Sequence, residues 1–271
     1  MIETYIDKQN VLLNGRQMFD VEITTICNKH CYICPREKFE RINRKMTKET
    51  FDILCNWLPS DCDVFFAGFG EPLTHELCIE FIQKLHKSGR GTSIMTNGIL
   101  LNKNLISQLF ENGLDKLQIS IIKKLELTRL PHFFSLIENK YKSRIVFNII
   151  TDTNDDELPI DVQDKLQYGG YRHYIKHIHK RAGLLYPPDF KYKLKTCASF
   201  FVDTYIDTNG LIQVCCNDIN GLYNIGSIRN MNFDDLVEYK RQFLGNIQIC
   251  NLCPNCTDEY RIKHFENINK K

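Results

Sequence analysis

The chain has 271 residues, 43% of them hydrophobic and 25% charged, with a net charge of +2. Those proportions suit a globular protein with a sizeable core, and the near-neutral balance gives no electrostatic case for nucleic acid or an anionic membrane as a partner. No apolar run approaches the roughly 20 residues of a membrane span, and Glu3 and Asp7 interrupt the N-terminus where a signal peptide would carry its apolar centre. The anomaly is twelve cysteines. Clustered thiols without a secretory signal point to metal binding or catalysis, and to a reducing, cytoplasmic setting.

Residues 1–18 form a lead-in too short for a domain, and Asn14-Gly15 between apolar runs predicts a small strand or hairpin there. From 19 to about 180 strand and helix patterns alternate. Strand-like runs occur at 21–23, 64–67, 93–95, 117–121, 144–150 and 171–178. Phe51, Leu54, Cys55 and Leu58 share one helical face, with Thr47 or Thr50 as its N-cap. Leu77, Cys78, Phe81, Ile82 and Leu85 make a second face, and Leu105, Ile106, Leu109 and Phe110 a third, ended by Asn112-Gly113. Such alternation predicts an α/β fold with a parallel sheet of right-handed units. Six units fall short of the eight in a closed barrel. Residues 181–195, with two prolines, a glycine and three lysines, read as a linker. In the last segment, 196–271, runs at 201–206 and 211–214 flank Thr208-Asn209-Gly210, a hairpin signal, and a short helix follows at about 233–243.

The chemistry is concentrated after the first strand. Cys27, Cys31 and Cys34 are spaced by four and three. Three thiolates from one loop can hold three irons of a cubane and leave the fourth iron open to a small molecule. A structural zinc ion would want a fourth ligand, and His30 lies inside the same tight loop, badly placed to close a tetrahedron. Cys55, Cys62 and Cys78 are single, in apolar surroundings, and read as core.

This C-x3-C-x2-C loop resembles that of the radical SAM superfamily. The resemblance implies a 4Fe–4S cluster on Cys27, Cys31 and Cys34 that binds S-adenosylmethionine and cleaves it reductively. The resulting 5′-deoxyadenosyl radical takes a hydrogen atom from a substrate. It further implies a partial (β/α)6 barrel, which agrees with the six units, and an electron donor such as flavodoxin or ferredoxin. Gly68-Phe69-Gly70-Glu71-Pro72 after the second strand resembles the family's GGEP bend, which offers backbone groups to the methionine amino group. Glycine permits the close approach, proline fixes the turn, and Glu71 is expected to stabilise the bend. By the same resemblance Thr96 and Asn97 end the third strand among cofactor contacts, Ser120 stands where a polar ribose contact is found, and Tyr32 or Ile33 packs on adenine. After Ser120 the chain departs from the family, running Ile121-Ile122-Lys123 where an acidic residue is common. Asn148 and Thr151 on the fifth strand are further polar contacts or structural groups.

Six cysteines remain in the last segment: Cys197, Cys215, Cys216, Cys250, Cys253 and Cys256. Their layout resembles the C-terminal SPASM or shorter twitch extension of radical SAM enzymes. That implies a small β-hairpin-plus-helix cluster-binding extension over the C-terminal ends of the strands. Two further cubanes would want eight thiols, so one auxiliary 4Fe–4S cluster is expected. Its ligands are read as Cys197, Cys215, Cys250 and Cys253, with Cys256 as alternate to Cys253. A zinc ribbon on the same thiols is the competing reading. Cys216 follows Cys215 directly, so strand alternation turns it to the other face. Cys216 or Cys256 is left as a hydrogen donor to a substrate radical, or as a packing cysteine. The substrate is expected to be a ribosomally made peptide undergoing oxidation, cross-linking or epimerisation. The alternatives are a small molecule such as an aminocyclitol or sugar undergoing dehydrogenation, and a zinc-binding scaffold without activity.

Overall fold

The computed structural model describes residues 2–151, 157–178, 181–184, 197–245 and 249–256. Most of the expected linker, and everything after Cys256, lies outside the described residues.

Six parallel strands form the centre: β1 (Gln17–Val21), β2 (Cys62–Phe66), β3 (Gly91–Thr96), β4 (Lys116–Ile122), β5 (Ile145–Thr151) and β6 (Arg172–His177). Each pairs with the next in chain order. Alternation sorts their side chains. In β2, Cys62, Val64 and Phe66 are buried while Asp63 and Phe65 are half-exposed. The buried set packs under the helices α2 (Lys48–Trp57), α3 (Cys78–Lys87), α4 (Lys103–Glu111), α6 (Leu130–Leu136) and α7 (Ile160–Tyr168). Between α2 and α3, Phe51 stacks on Phe81 with ring centres 3.8 Å apart. Thr47 is the N-cap of α2, accepting from the Thr50 amide at 3.1 Å. The opposite face carries Asp20, Phe65, Ser93, Met95, Gln118 and Ser120, all half-exposed. This open face is the lumen of a partial barrel whose sheet does not close.

One expectation is corrected. Residues 2–13 are not a strand or hairpin but a helix, α1 (Ile2–Leu13). Its end is fixed by tertiary contacts that no local pattern announces. The buried amide of Gln17 donates to the carbonyls of Leu12, Leu13 and Gly15, capping α1, and Gln9 accepts from the Gly245 amide at 2.7 Å. Leu12 and Leu13 bury against Phe200, Phe201 and Val214, so α1 is held by the C-terminal segment.

That segment holds the expected hairpin and helix. It comprises α8 (Ser199–Val202), β7 (Asp203–Ile206), β8 (Leu211–Gln213), β9 (Asn224–Ser227) and α9 (Phe233–Arg241). The hairpin of β7 and β8 is present, with Gly210 at φ +80° and the Asp207 carboxylate accepting from the Asn209 and Leu211 amides. Its strands extend the sheet, while the turn after β8 packs on the strand-end loops, with Cys216 and Ile219 against Phe69 and Cys34 and Asn220 accepting from the Glu40 amide at 3.0 Å. β7 pairs in parallel with β1, Met18 opposite Asp203, and β9 adds a third strand. The sheet thus runs β6-β5-β4-β3-β2-β1-β7-β8-β9. The reason is the free edge of β1, whose unpaired amides and carbonyls are satisfied by β7. α9 starts with a capping box of Asn232 and Asp235, and Trp57 of the barrel donates to the Met231 carbonyl just before it.

Candidate active site and thiol clusters

The loop after β1 is braced on every side. The long return at 35–46 lies back across the strand end, where Met46 donates to the Ile23 carbonyl and Thr25 to the Arg44 carbonyl. Within the loop, the Cys34 amide closes a turn on the Cys31 carbonyl at 3.0 Å. Cys27, Cys31 and Cys34 are all half-buried, Tyr32 is exposed and Ile33 half-buried. Burial pushes the Cys31 and Cys34 thiols up, and the neighbouring thiols of the loop push further in the same direction. Three thiols that repel one another as anions are a donor set prepared for a cationic centre.

The bend at 68–72 fits against this loop without slack. A Cβ on Gly70 would stand 2.0 Å from the Thr24 carbonyl oxygen. Gly68 has φ +134°, and a Cβ there would meet the Glu22 side chain at 2.8 Å. Glu22, fully buried, accepts from the Phe69 amide and from both terminal nitrogens of Arg41 at 2.8 and 3.2 Å. Glu71 is also buried and spends both oxygens internally. One accepts from the Thr96 hydroxyl at 2.7 Å and the Leu73 amide at 3.2 Å; the other accepts from the Asn97 amide at 2.7 Å. Burial holds the Glu71 carboxyl above its usual range despite these bonds. Its role is to tie the bend to the end of β3. Asn97, so placed, donates to the Asn28 side chain at 2.8 Å and lies 3.8 Å from the Cys27 sulfur.

In the lumen the Ser120 hydroxyl points at the Met95 sulfur, 3.0 Å away. Asn148 donates to Gln118 at 2.9 Å, and its own buried carbonyl oxygen has no hydrogen-bond partner among the described residues. A residue missed by sequence reasoning stands nearby. Glu126, on the short helix α5 (Lys123–Glu126), accepts from Lys29 of the cysteine loop, from Arg129, and from the Ile122 amide. Burial pushes its carboxyl up, and those three bonds together bring it below the usual range. Glu126 lies six positions after Ser120 and ties the cysteine loop to the end of β4.

In the C-terminal segment, Cys197, Cys215, Cys250, Cys253 and Cys256 line one cavity, together with Phe200, Val214 and Leu252. The Cys250 and Cys253 sulfurs are 3.9 Å apart, and Asn217 donates toward Cys256 at 3.8 Å. Cys216 is turned away, packing with Phe69, Tyr205 and Cys34. None of the twelve cysteines is in a disulfide. Cys55, Cys62 and Cys78 are buried in the core, where burial pushes the first two thiols up to about 11. Among the described residues no three Cys, His, Asp or Glu side chains are gathered as a site for a single ion. Cubane clusters take one thiolate per corner iron, so they ask for spread thiols rather than convergent ones. On donor chemistry and apolar lining, both groups fit iron–sulfur clusters.

Residues 21–122 match the family model of the Radical SAM superfamily. The tungsten-containing aldehyde ferredoxin oxidoreductase cofactor-modifying protein of Pyrococcus furiosus is 31% identical over 104 residues, 37% of this chain and 29% of that protein. The probable GTP 3′,8-cyclase of Methanothermobacter marburgensis is 33% identical over 103 residues, 37% of this chain and 33% of that protein. The chain therefore spans about a third of the length of these curated relatives. Among solved structures, BtrN in complex with AdoMet and 2-DOIA superposes with a TM-score of 0.69 at 19% identity, covering 90% of this chain and 93% of that one. Streptococcus suis SuiB bound to precursor peptide SuiA gives 0.65 at 13% identity, covering 94% and 74%. At these identities the likeness is one of fold. Among the described residues no helix is long and apolar enough to cross a membrane.

Proposed function

We propose, with a radical SAM domain at residues 21–122 as the premise, that this protein is a radical SAM enzyme carrying a second, auxiliary cluster. Cys27, Cys31 and Cys34 would hold the cluster that binds S-adenosylmethionine. Four of the five thiols around the C-terminal cavity would hold the other, with Cys197, Cys215, Cys250 and Cys253 as the proposed set and Cys256 as alternate. Bound there, the first cluster supplies the electron that cleaves S-adenosylmethionine to a 5′-deoxyadenosyl radical able to take a hydrogen atom from a substrate. An electron donor such as flavodoxin or ferredoxin is proposed as partner.

The observation that carries this reading is the seating of the three-thiol loop against the glycine bend, where a Gly70 side chain would collide with the strand-end carbonyl of Thr24. The chain's own groups do the rest. The 68–72 bend brings bare backbone beside the thiols, and Glu71 keeps it there by tying it to Thr96 and Asn97. Lys29 and Glu126 pin the loop to the β4–α5 connection. Ser120 offers a hydroxyl in the lumen, and the buried Asn148 carbonyl oxygen is an acceptor awaiting a donor. Tyr32 and Ile33 supply an apolar wall for adenine.

For the substrate, the open lumen suits a peptide being oxidised, cross-linked or epimerised. A second reading, dehydrogenation of a small molecule, is supported by the fold likeness to BtrN in complex with AdoMet and 2-DOIA, at a TM-score of 0.69. Anaerobic reconstitution with iron and sulfide, followed by reduction with S-adenosylmethionine, tests the common core. About seven to eight irons per chain and 5′-deoxyadenosine are expected. A colourless zinc protein that leaves S-adenosylmethionine intact would sink it. Product mass in deuterated water then separates the readings. A product two hydrogens lighter marks oxidation, and one that gains solvent deuterium marks epimerisation, with Cys216 or Cys256 the proposed donor.

A further inference from the structure

One short turn forms part of the wall of the C-terminal thiol cavity and reaches the Phe69 ring, which packs with Cys34 of the loop. In the turn Arg181–Gly183, Arg181 and Ala182 both have φ of 51°, in the left-handed region. Residues with a Cβ enter that region at a cost and stay only where the surroundings hold them. Ala182 is buried and forms part of the wall of the C-terminal thiol cavity. Arg181 faces the other way. Its guanidinium lies over the Phe69 ring, 5.2 Å from the ring centre. The same guanidinium donates to the Cys216 carbonyl at 3.3 Å and stands 3.8 Å from the Cys216 sulfur. Its charge reaches Cys34 as well, where burial pushes the thiol up and Arg181 draws it back down.

The contrast with Arg41 sharpens the point. Arg41 also lies over Phe69, at 5.8 Å, but is bonded twice to the buried carboxylate of Glu22. Among the described residues Arg181 has no carboxylate partner; its contacts are the Phe69 ring and Cys216. Among the described residues, one guanidinium on this ring is neutralised by a carboxylate and the other is not.

We propose that Arg181 is a positioning residue that fastens the 215–216 turn to the 68–72 bend and holds, between the two thiol groups, one positive charge with no carboxylate partner among the described residues. This rests on reading both groups as iron–sulfur sites. A fixed cation favours the more negative, reduced state of a nearby cluster, and in a partly buried place solvent screens it weakly. It also gives a carbonyl at the end of the second group a fixed distance from the bend beside the first. The left-handed pair at Arg181 and Ala182 accompanies the placing of Ala182 in the cavity wall and Arg181 over the Phe69 ring.

The test compares wild type, R181K and R181M after anaerobic reconstitution, by redox titration followed by electron paramagnetic resonance. The loop cluster is the one whose signal changes when S-adenosylmethionine is added. R181M keeps length and apolar packing on Phe69 but loses the charge, so its loop-cluster midpoint potential is expected to fall, while R181K stays near wild type. If R181M does not assemble clusters, R181Q takes its place with the same expectation. Potentials unchanged in the neutral variants would overturn the proposal, as would an equal fall in R181K, which would make the effect one of shape rather than charge. A wild-type protein that binds no iron–sulfur cluster would overturn this inference together with the function it rests on.

Discussion

Replacing Glu71 by Gln probes the joint between the glycine bend and the end of β3. The carboxylate accepts three bonds: from the Thr96 hydroxyl, the Leu73 amide and the Asn97 amide. A glutamine has one acceptor oxygen. If that oxygen keeps Thr96 and Leu73, the NH2 group faces the Asn97 amide, donor against donor. One charge-assisted bond is lost and one buried amide is left unsatisfied, each worth about 1–3 kcal/mol, offset by no longer burying a carboxylate. The net cost is about 2 kcal/mol, or about 4–8 °C in Tm for a chain of this size. Asn97 then loses its hold on Asn28 beside Cys27, so affinity of the reconstituted protein for S-adenosylmethionine is expected to fall by about 20–30-fold. The sign of the pH dependence follows from burial, which raises the folded-state value above 4.5. The stability contributed by protonated Glu71 is present below that unfolded value and lost as pH rises through the folded one. The gap between wild type and E71Q therefore narrows from acid to neutral pH. Thermal melts across that range and equilibrium binding measure both. An E71Q protein with wild-type melting and wild-type affinity would refute the reasoning.

Three further outcomes are expected. Replacing Cys27, Cys31 and Cys34 together by Ala should abolish 5′-deoxyadenosine formation while about half the iron, that of the C-terminal group, remains; retained cleavage would remove the loop from the site. The E126Q variant should weaken the grip on Lys29, Arg129 and the Ile122 amide by about 1–2 kcal/mol, read as faster loss of loop iron to a chelator. That deficit should disappear as pH falls through the lowered Glu126 value, since the carboxylate's contribution is present only above it. Gly70→Ala, with its Cβ 2.0 Å from a backbone oxygen, should cost about 3 kcal/mol and S-adenosylmethionine binding. Gly89→Ala, where a Cβ meets nothing within 4 Å at φ +77°, should cost only about 1 kcal/mol; equal losses in the two would refute the close-approach argument.

The barrel was legible because its strands alternate and its helices keep one apolar face. Cys62, Val64 and Phe66 against Asp63 and Phe65 is a pattern that needs no partner to be read. Thr47 announced its cap in the same local way. What stayed illegible depends on distant closure. α1 is a helix because Gln17 and the C-terminal segment hold its end, not because its own sequence is strongly periodic. The brace between Lys29 and Glu126 joins residues ninety-seven positions apart. The docking of β7 on β1 answers an edge that exists only once the sheet is built. The cysteine loop itself was legible as chemistry, whereas its supports, Glu22 with Arg41 and the strained turn at Arg181, required the fold.

The strand order has a consequence in time. β1 leaves the ribosome first among the strands and yet ends up interior, flanked by β2 and by β7. At about 5–20 residues per second, β7 follows β1 by roughly 10–40 s. Through that interval β1 has one naked edge, and the cysteine loop hangs from a half-built floor, since the Glu22 amide donates to the Ile206 carbonyl of β7. The loop gains its final backing only when the C-terminal strands arrive. Maturation of the loop thiols is thereby chained to a strand synthesised well after them, and damage to β7 will be felt at the loop after β1.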